Sequence, residues 1–389
     1  MQKLEILDSK HTLRYLLINL KVLLPYFVNT YPLFFYLAIA LIACVIVIFS
    51  IPTVIHTSVK YDLFDKNDLH RKIHKRNISR LAGIAIVASF AITTLLFTAL
   101  VKSEEVGFLI TSCIILAGLG MKDDVYGTST GTKFIIQLLV ACILVFPGGF
   151  RLTSLYGVFG IGDMPMFWSG IFSVVLIIFL NNAFNFIDGI DGLAGTTGVI
   201  ANLIFGVFFA MMHQVAYAFI AFSLTGAIAG FLRYNWYPAR IFMGDTGALI
   251  TGLVTASLAV KFIELNKFYA GASPFVYSAP AIAVSILIIP VFDSLRIFTV
   301  RVLKGNSPLK GDRNHVHHRM ERLGLKPPII IFITAGLNIS LIAVSMIMQH
   351  LGNFFLIFFI IGICMVFDFI LFYKLRKKDN LKKSTAGLG

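Results

Sequence analysis

Residues 172–195 read "FSVVLIIFLNNAFNFIDGIDGLAG". Nine uncharged, almost wholly apolar residues run directly into Asn182, Asn185, Asp188 and Asp191, which recur at every third position. Such a junction is either an ordinary turn between two buried helices or a polar site at the mouth of a membrane. The rest of the chain decides between them. Hydrophobic residues make up 58% of the 389 residues and charged residues only 13%, against a charged share of about one quarter in soluble domains. A helix crossing roughly 30 Å of hydrocarbon needs about 20 mainly apolar residues. Such runs recur at 33–55, 81–101, 105–121, 133–147, 166–184, 193–212, 215–232, 241–262, 276–300, 329–349 and 353–373. The expected fold is an all-α polytopic membrane protein with about eleven transmembrane helices, because the runs are continuous rather than alternating as in a β-barrel. The opening "MQKLEILDSKHTLRYLLINLKVLLPYF" is interrupted by charges and has no small-residue cleavage site, so it does not read as a signal peptide. Residues 1–32 form an N-terminal arm in which 11–28 fit an amphipathic surface helix.

Cys44, Cys113, Cys142 and Cys364 all lie inside apolar runs without metal or disulfide spacing, and read as small core residues. The net charge of +14 suggests anionic partners, with membrane orientation alone as the alternative reading. Lys60, Lys66, Arg71, Lys72, Lys75, Arg76 and Arg80 follow the first span, Arg301, Lys304, Lys310, Arg313, Arg319, Arg322 and Lys326 follow the ninth, and the tail 374–389 is basic. Parity puts all three on one side, which the positive-inside rule makes cytoplasmic. The opposite loops carry little beyond Lys102, Arg151 and Lys267; only Lys3, Lys10, Arg14 and Lys21 of the arm argue the other way. The expected membrane domain is 33–373, with the N-terminus outside, the C-terminus inside, and cytoplasmic loops at 56–80, 121–132, 184–192, 233–240 and 301–328.

The acidic and amide clusters played no part in that assignment, yet all fall on the cytoplasmic side. "GMKDDVYG" (120–127) contains the adjacent carboxylates Asp123 and Asp124. A DD pair is most often a solvated turn, but clustered acids also suit magnesium, which takes one or two carboxylates and leaves room for water and phosphate oxygens. One of the two could serve as a base. Asn182 and Asn185 share a helix face, while Asp188 and Asp191 precede Gly189 and Gly192, which let backbone approach a ligand. "DGIDG" alone would be a turn. Asp245 falls inside the eighth span, where an ionisable group suggests function, with helix capping as the bland alternative. Arg240 could grip a phosphate and Phe242 could stack on a base. His315, His317 and His318 with Arg313 and Arg319 suit diphosphate oxygens; a zinc site is the rival, without a cysteine or spaced fourth ligand. Lys72, His74 and Lys133 could assist, although positive-inside bias accounts for the first two equally well. No Walker loop or GxGxxG occurs. Acids for a divalent cation beside cations for phosphates, at a bilayer face, point to phosphoryl transfer to a lipid acceptor.

At these residues the chain resembles the polyprenyl-phosphate N-acetylhexosamine-1-phosphate transferases, most closely their WecA and TagO branch. The motifs are "RKIHKRNISRLAG", "GMKDDVYGTSTGTKFIIQ", "NAFNFIDGIDGLAG", "NWYPARIFMGDTG", "PVFDSLRIFTVR" and "GNSPLKGDRNHVHHRM", in family order over residues 71–320. The resemblance implies an eleven-helix enzyme in the cytoplasmic membrane of a bacterium, active site inward. It would move a sugar 1-phosphate, N-acetylglucosamine 1-phosphate first among candidates, from a UDP-N-acetylhexosamine to undecaprenyl phosphate, releasing UMP. It implies Asp123 and Asp124 as the catalytic pair, and Asp245 and Asn185 as ligands of Mg2+, with Mn2+ as a substitute. Asn182, Asp188, Asp191 and Phe242 would line the nucleoside-sugar pocket, and Lys133, Arg240 and the His-Arg loop would surround the diphosphate. Expected partners are the two substrates and the bilayer, with no nucleic acid; a homodimer is left open. Ser79 and Ala82 stand where the family usually has Pro and Gly, which alters loop stiffness and removes no reactive group.

Three rivals remain. Phospho-N-acetylmuramoyl-pentapeptide transferases are the near one, although their distal loop should differ from "DRNHVHHR". An ion-coupled transporter should show midplane polar residues and inverted repeats. A CDP-alcohol phosphotransferase needs an Arg shortly after "DGIDGLA", where "GTTGVIANLIF" has none.

Overall fold

The computed structural model describes residues 30, 32–63, 78–98, 103–269, 276–303, 305 and 315–386. The amphipathic reading of the arm, Lys72, His74 and Arg313 all lie outside the described residues. Thirteen α-helices occur among them: α1 (Pro32–Lys60), α2 (Ala82–Thr98), α3 (Glu104–Tyr126), α4 (Thr130–Val145), α5 (Met166–Ile187), α6 (Leu193–Met211), α7 (Val215–Asn235), α8 (Gly244–Asn266), α9 (Ala279–Ile286), α10 (Ile288–Leu303), α11 (Val316–Arg322), α12 (Pro327–Ile347) and α13 (Asn353–Ala386). Eight are long and apolar enough to cross a bilayer; α9 and α10 pass the same test as one bent pair, and α2 and α4 are shorter apolar helices.

The chain is therefore a multi-pass helical membrane protein. Its outer faces are apolar, with Phe34 and Phe49 about three-quarters exposed, as lipid contact requires. α8 is the central helix, packed on α3, α5, α2 and α6, while α1 and α13 lie outermost. α1 meets α7 through "GAIAG", where a Cβ on Gly226 would stand 2.0 Å from the Ala40 carbonyl; small residues at this spacing let membrane helices touch backbone to backbone. Cys113 and Cys364 are buried and all four cysteines are free.

The run at 276–300 reads as one span in the sequence, but the chain turns by 81° between α9 and α10. Pro290 explains the break. It has no N–H, and its ring crowds the carbonyl four residues back, which belongs to Ile286, the last residue of α9. Asn338 of α12 donates its Nδ2 to the Ser285 and Ile286 carbonyls at 2.8 and 3.3 Å, so backbone acceptors at the break keep a partner within the apolar bundle.

α3 and α8 run antiparallel and are tied at both ends. Glu105 meets Lys261 at 2.7 Å, and Asp124 meets the start of α8. At 1.5 Å per residue these ties lie about 29 Å apart along α3 and about 24 Å along α8, close to a hydrocarbon thickness. The Lys261 ammonium also lies over the Phe150 and Tyr217 rings, a compensation for burying a cation.

Candidate active site

The site begins where α3 ends. Its helix continues through Tyr126, so Asp123 and Asp124 occupy a helical turn rather than the loop expected at 121–132. Adjacent helical residues point about 100° apart, and the two carboxylates divide. Asp124 turns to α8: its Oδ1 accepts from the Asp245 N–H at 2.7 Å, and its Oδ2 accepts from the Thr246 N–H and hydroxyl at 3.0 and 2.6 Å. α8 has no side-chain cap of its own, so a carboxylate from another helix satisfies its first amides and faces the positive end of its dipole. Gly244 makes the approach feasible. Its φ is +70°, and a Cβ there would stand 2.0 Å from the Arg80 carbonyl and 2.8 Å from both Asp124 oxygens.

Asp245 lies just inside a span, as expected, in the first turn of α8. Lys133 bridges it to Asp123, with Nζ 2.7 Å from Asp123 Oδ2 and 2.5 Å from Asp245 Oδ2. The α3–α4 hairpin brings the lysine back. Ser129 caps α4 by accepting the Thr132 N–H at 3.2 Å, which sets Lys133 in the first turn, facing Asp123. Asn185 of α5 is within hydrogen-bonding reach of the Asp245 carboxylate. Four groups from four helices thus converge. Asp188 follows α5 and feels the same charges: burial first, then the Asp245 and Asp124 carboxylates, push its carboxyl well above the usual range, with Arg80 opposing.

Other expected pocket residues are engaged elsewhere. Asn182 exchanges hydrogen bonds with Gln137 at 3.0 and 3.2 Å, tying α4 to α5. Asp191 Oδ2 accepts the Ala239 N–H at 3.0 Å, and Asn235 joins Gly192 to Ile241 at 2.8 and 2.9 Å. These bonds hold the "YPAR" turn against the "DGIDG" turn. The Arg240 side chain is exposed and Phe242 is half-buried; the Phe242 N–H donates to the Ser79 carbonyl at 2.8 Å. Ser79, where the family usually has Pro, also bonds Ser58 through the hydroxyls at 2.9 Å.

The histidines gather around a residue without an assigned role in the sequence reading. Asp293 of α10 is buried, with Oδ2 3.1 Å from His315 Nδ1 and 3.3 Å from His317 Nδ1. Its Oδ1 accepts the Val316 N–H at 2.9 Å. The three side chains could between them hold a cation, since their ligand atoms lie within 4.8 Å of one another. His317 is 2% exposed and its Nε2 has no partner; burial pulls its pKa down, with Asp293 opposing. His318 bonds Glu321 at 2.9 Å. Arg319, expected at the diphosphate, instead pairs with Asp368 of α13, which also receives Arg296 at 2.9 Å. Burial lowers the Arg319 pKa, and Asp368 keeps the guanidinium charged. The signal for Asp293 was present in "PVFDSLRIFTVR", an acid within an apolar helix.

The convergence is that of a charged cup at one end of an apolar bundle, able to hold a divalent ion and phosphate oxygens. Comparison with known proteins agrees. The glycosyl transferase family 4 profile matches residues 106–263. The chain is 29% identical over 335 residues to the probable undecaprenyl-phosphate N-acetylglucosaminyl 1-phosphate transferase of Bacillus subtilis (strain 168), covering 84% of this chain and 88% of that one. It is 30% identical over 296 residues to the decaprenyl-phosphate N-acetylglucosaminephosphotransferase of Mycolicibacterium smegmatis, covering 69% and 71%. It is 28% identical over 345 residues to the undecaprenyl-phosphate alpha-N-acetylglucosaminyl 1-phosphate transferase of Escherichia coli (strain K12), covering 84% and 90%. The chain belongs to glycosyl transferase family 4, among the polyprenyl-phosphate N-acetylglucosamine-1-phosphate transferases its motifs resemble.

Proposed function

We infer that this protein transfers N-acetylglucosamine 1-phosphate from UDP-N-acetylglucosamine to undecaprenyl phosphate, yielding undecaprenyl-diphospho-N-acetylglucosamine and UMP. The observation that carries the reading is the meeting of Asp123, Lys133, Asn185 and Asp245 at one end of the bundle. In the reaction an oxygen of the lipid phosphate forms a bond to the sugar-bearing phosphorus, and the bond from that phosphorus to the bridging oxygen breaks, releasing UMP. Such transfers depend mainly on positioning and charge neutralisation.

The residues present fit Mg2+. Two carboxylates and an amide oxygen form a hard donor set, and the Lys133 ammonium already stands where one cation touches both carboxylates. Asp245 and Asn185 would hold the ion, which would neutralise the diphosphate charge as it shifts to the leaving UMP. Asp123, beside Lys133, orients the acceptor phosphate and can take its proton. Lys133 then contributes a cation for the diphosphate oxygens. Asp124 positions rather than reacts, since both its oxygens serve the start of α8. With Asp124 so occupied, direct attack is favoured over a phospho-enzyme at that residue.

The basic residues behind α1, α10 and α13 support a site facing the cytoplasm of a bacterial inner membrane. Counting α2, α4 and the bent α9–α10 pair as spans gives the eleven-helix topology, N-terminus outside. Purified protein should release UMP from UDP-N-acetylglucosamine only with undecaprenyl phosphate and Mg2+ present. Release without the lipid acceptor, or undiminished release by Asp245→Asn, would remove the basis of this assignment.

A further inference from the structure

One helical turn beneath the charged cup lies a second polar layer. Gln137 follows Lys133 by four residues on α4, Asn181 precedes Asn185 by four on α5, and Leu249 follows Asp245 by four on α8. α4 and α8 run inward from the cup and α5 runs out to it, so all three steps lead the same way, about 6 Å into the bundle. Asn181 Nδ2 donates to the Leu249 carbonyl at 2.6 Å. Gln137 Nε2 donates to Asn181 Oδ1 at 3.0 Å and to Asn182 Oδ1 at 3.2 Å. Asn182 Nδ2 donates in turn to Gln137 Oε1 at 3.0 Å and to the Ile178 carbonyl at 2.8 Å. Backbone carbonyls only accept, so Leu249 and Ile178 fix which way both asparagines point, and the asparagine oxygens fix Gln137. Gln137 and Asn181 are buried, and every polar atom of their side chains has a partner, so neither reaches a substrate. Beside this bond α5 and α8 touch backbone to backbone: a Cβ on Gly252 would stand 2.8 Å from the Asn181 carbonyl oxygen.

We propose that Asn181 and Gln137 are positioning residues that form a two-jointed clasp beneath the site. The Asn181–Leu249 joint holds α5 on α8, and thereby Asn185 against Asp245. The Gln137–Asn181 joint holds α4 on α5, and thereby Lys133 between Asp123 and Asp245. α3 needs no such joint, since Asp124 already binds the start of α8. The two joints differ in what their loss does. Opening the first separates the two residues that fit Mg2+, whereas opening the second leaves them together and frees only the lysine that competes with the ion. The kinetic part rests on the transferase reading; the metal-binding part does not.

The test is Mn2+ binding to the substrate-free, full-length protein by paramagnetic resonance, beside kcat and KM for UMP release, in Asn181→Leu and Gln137→Met. Both replacements keep the shape of the side chain without its polar atoms. Asn181→Leu should weaken Mn2+ binding about tenfold, the low end of what is lost with a group that orients a metal ligand from behind. Gln137→Met should not weaken it. Turnover should fall at least about tenfold in both, with KM for each substrate within about twofold of the unmutated value, because neither amide touches a substrate. A loss of stability alone does not move metal affinity in one variant and spare it in the other. Any result but weaker Mn2+ binding confined to Asn181→Leu, or unchanged turnover in either variant, overturns the proposal. If Asn181→Leu does not fold, Gln137→Met decides alone: weaker Mn2+ binding or full turnover in it overturns the clasp. An unmutated protein that binds no Mn2+ also overturns it. One that binds Mn2+ yet releases no UMP overturns the transferase reading instead and leaves the Mn2+ comparison standing.

Discussion

Replacing Asp124 by asparagine separates two carboxylates that look equivalent in the sequence. The aspartate accepts from Asp245 N–H at 2.7 Å and from the Thr246 N–H and hydroxyl at 3.0 and 2.6 Å. Asparagine keeps one accepting oxygen and turns an NH2 toward donors, while the negative charge at the α8 N-terminus disappears. Hydrogen bonds to a charged group contribute about 1.5–3 kcal/mol each and a helix cap about 0.5–2 kcal/mol, without simple additivity. Asp124→Asn should therefore cost about 2–4 kcal/mol, a fall in Tm of about 4–8 °C. Asp123→Asn differs. It leaves the Lys133–Asp245 pair intact, and partly exposed ion pairs of this kind change stability by about 1 kcal/mol or less. Thermal unfolding in detergent, followed by tryptophan fluorescence and paired with UMP release, reads both effects. Asp123→Asn should lose turnover at nearly unchanged Tm, whereas Asp124→Asn should lose both. Equal Tm values for the two variants would refute the division of labour.

Three further outcomes follow from the same geometry. Lys133→Met leaves Asp123 and Asp245 facing each other without a cation, so Mn2+ should bind more tightly by paramagnetic resonance while turnover falls at least about tenfold. Asp368→Asn leaves Arg319, 3% exposed, and Arg296 without their shared partner; chemical denaturation should show a loss of about 3–5 kcal/mol, and an unchanged midpoint would mean that α13 does not brace α11. The His317 ring resists protonation in the folded state relative to its ordinary value of 6.5, so below that pH the unfolded chain binds more protons. Its contribution to stability is complete above about pH 6.5 and is lost as pH falls; Tm measured from pH 7.5 to 5 should decline less in His317→Gln than in the unmutated protein.

Hydropathy made the helices legible because lipid imposes a length and forbids unpaired backbone, so the ends of α5, α6 and α7 lie within three residues of their expected positions. The break before Ile288 was harder to see. Pro290 was in plain view, but a proline alone does not reveal that Asn338 waits to satisfy the freed carbonyls. At the site, Asp123, Lys133, Asn185 and Asp245, far apart in the sequence, stand as neighbours in the structure. The sequence could not distinguish groups facing the cleft from groups spent on architecture. Asp124 is joined to Thr246, Asn182 to Gln137, Asp191 to Ala239 and Arg319 to Asp368, each across a sequence gap that no local pattern records. Asp293 was overlooked for the same reason: its meaning lies in two histidines more than twenty residues away.

The reaction itself is tested most directly with UDP-N-acetylglucosamine carrying 14C in the sugar and 32P in the sugar-bearing phosphate. Incubated with the purified protein, undecaprenyl phosphate and Mg2+, both labels should enter the lipid product in equal molar amounts as UMP appears. Transfer of 14C alone, with 32P leaving as UDP, would mean that the protein moves the sugar without its phosphate, and the charged cup would need another explanation.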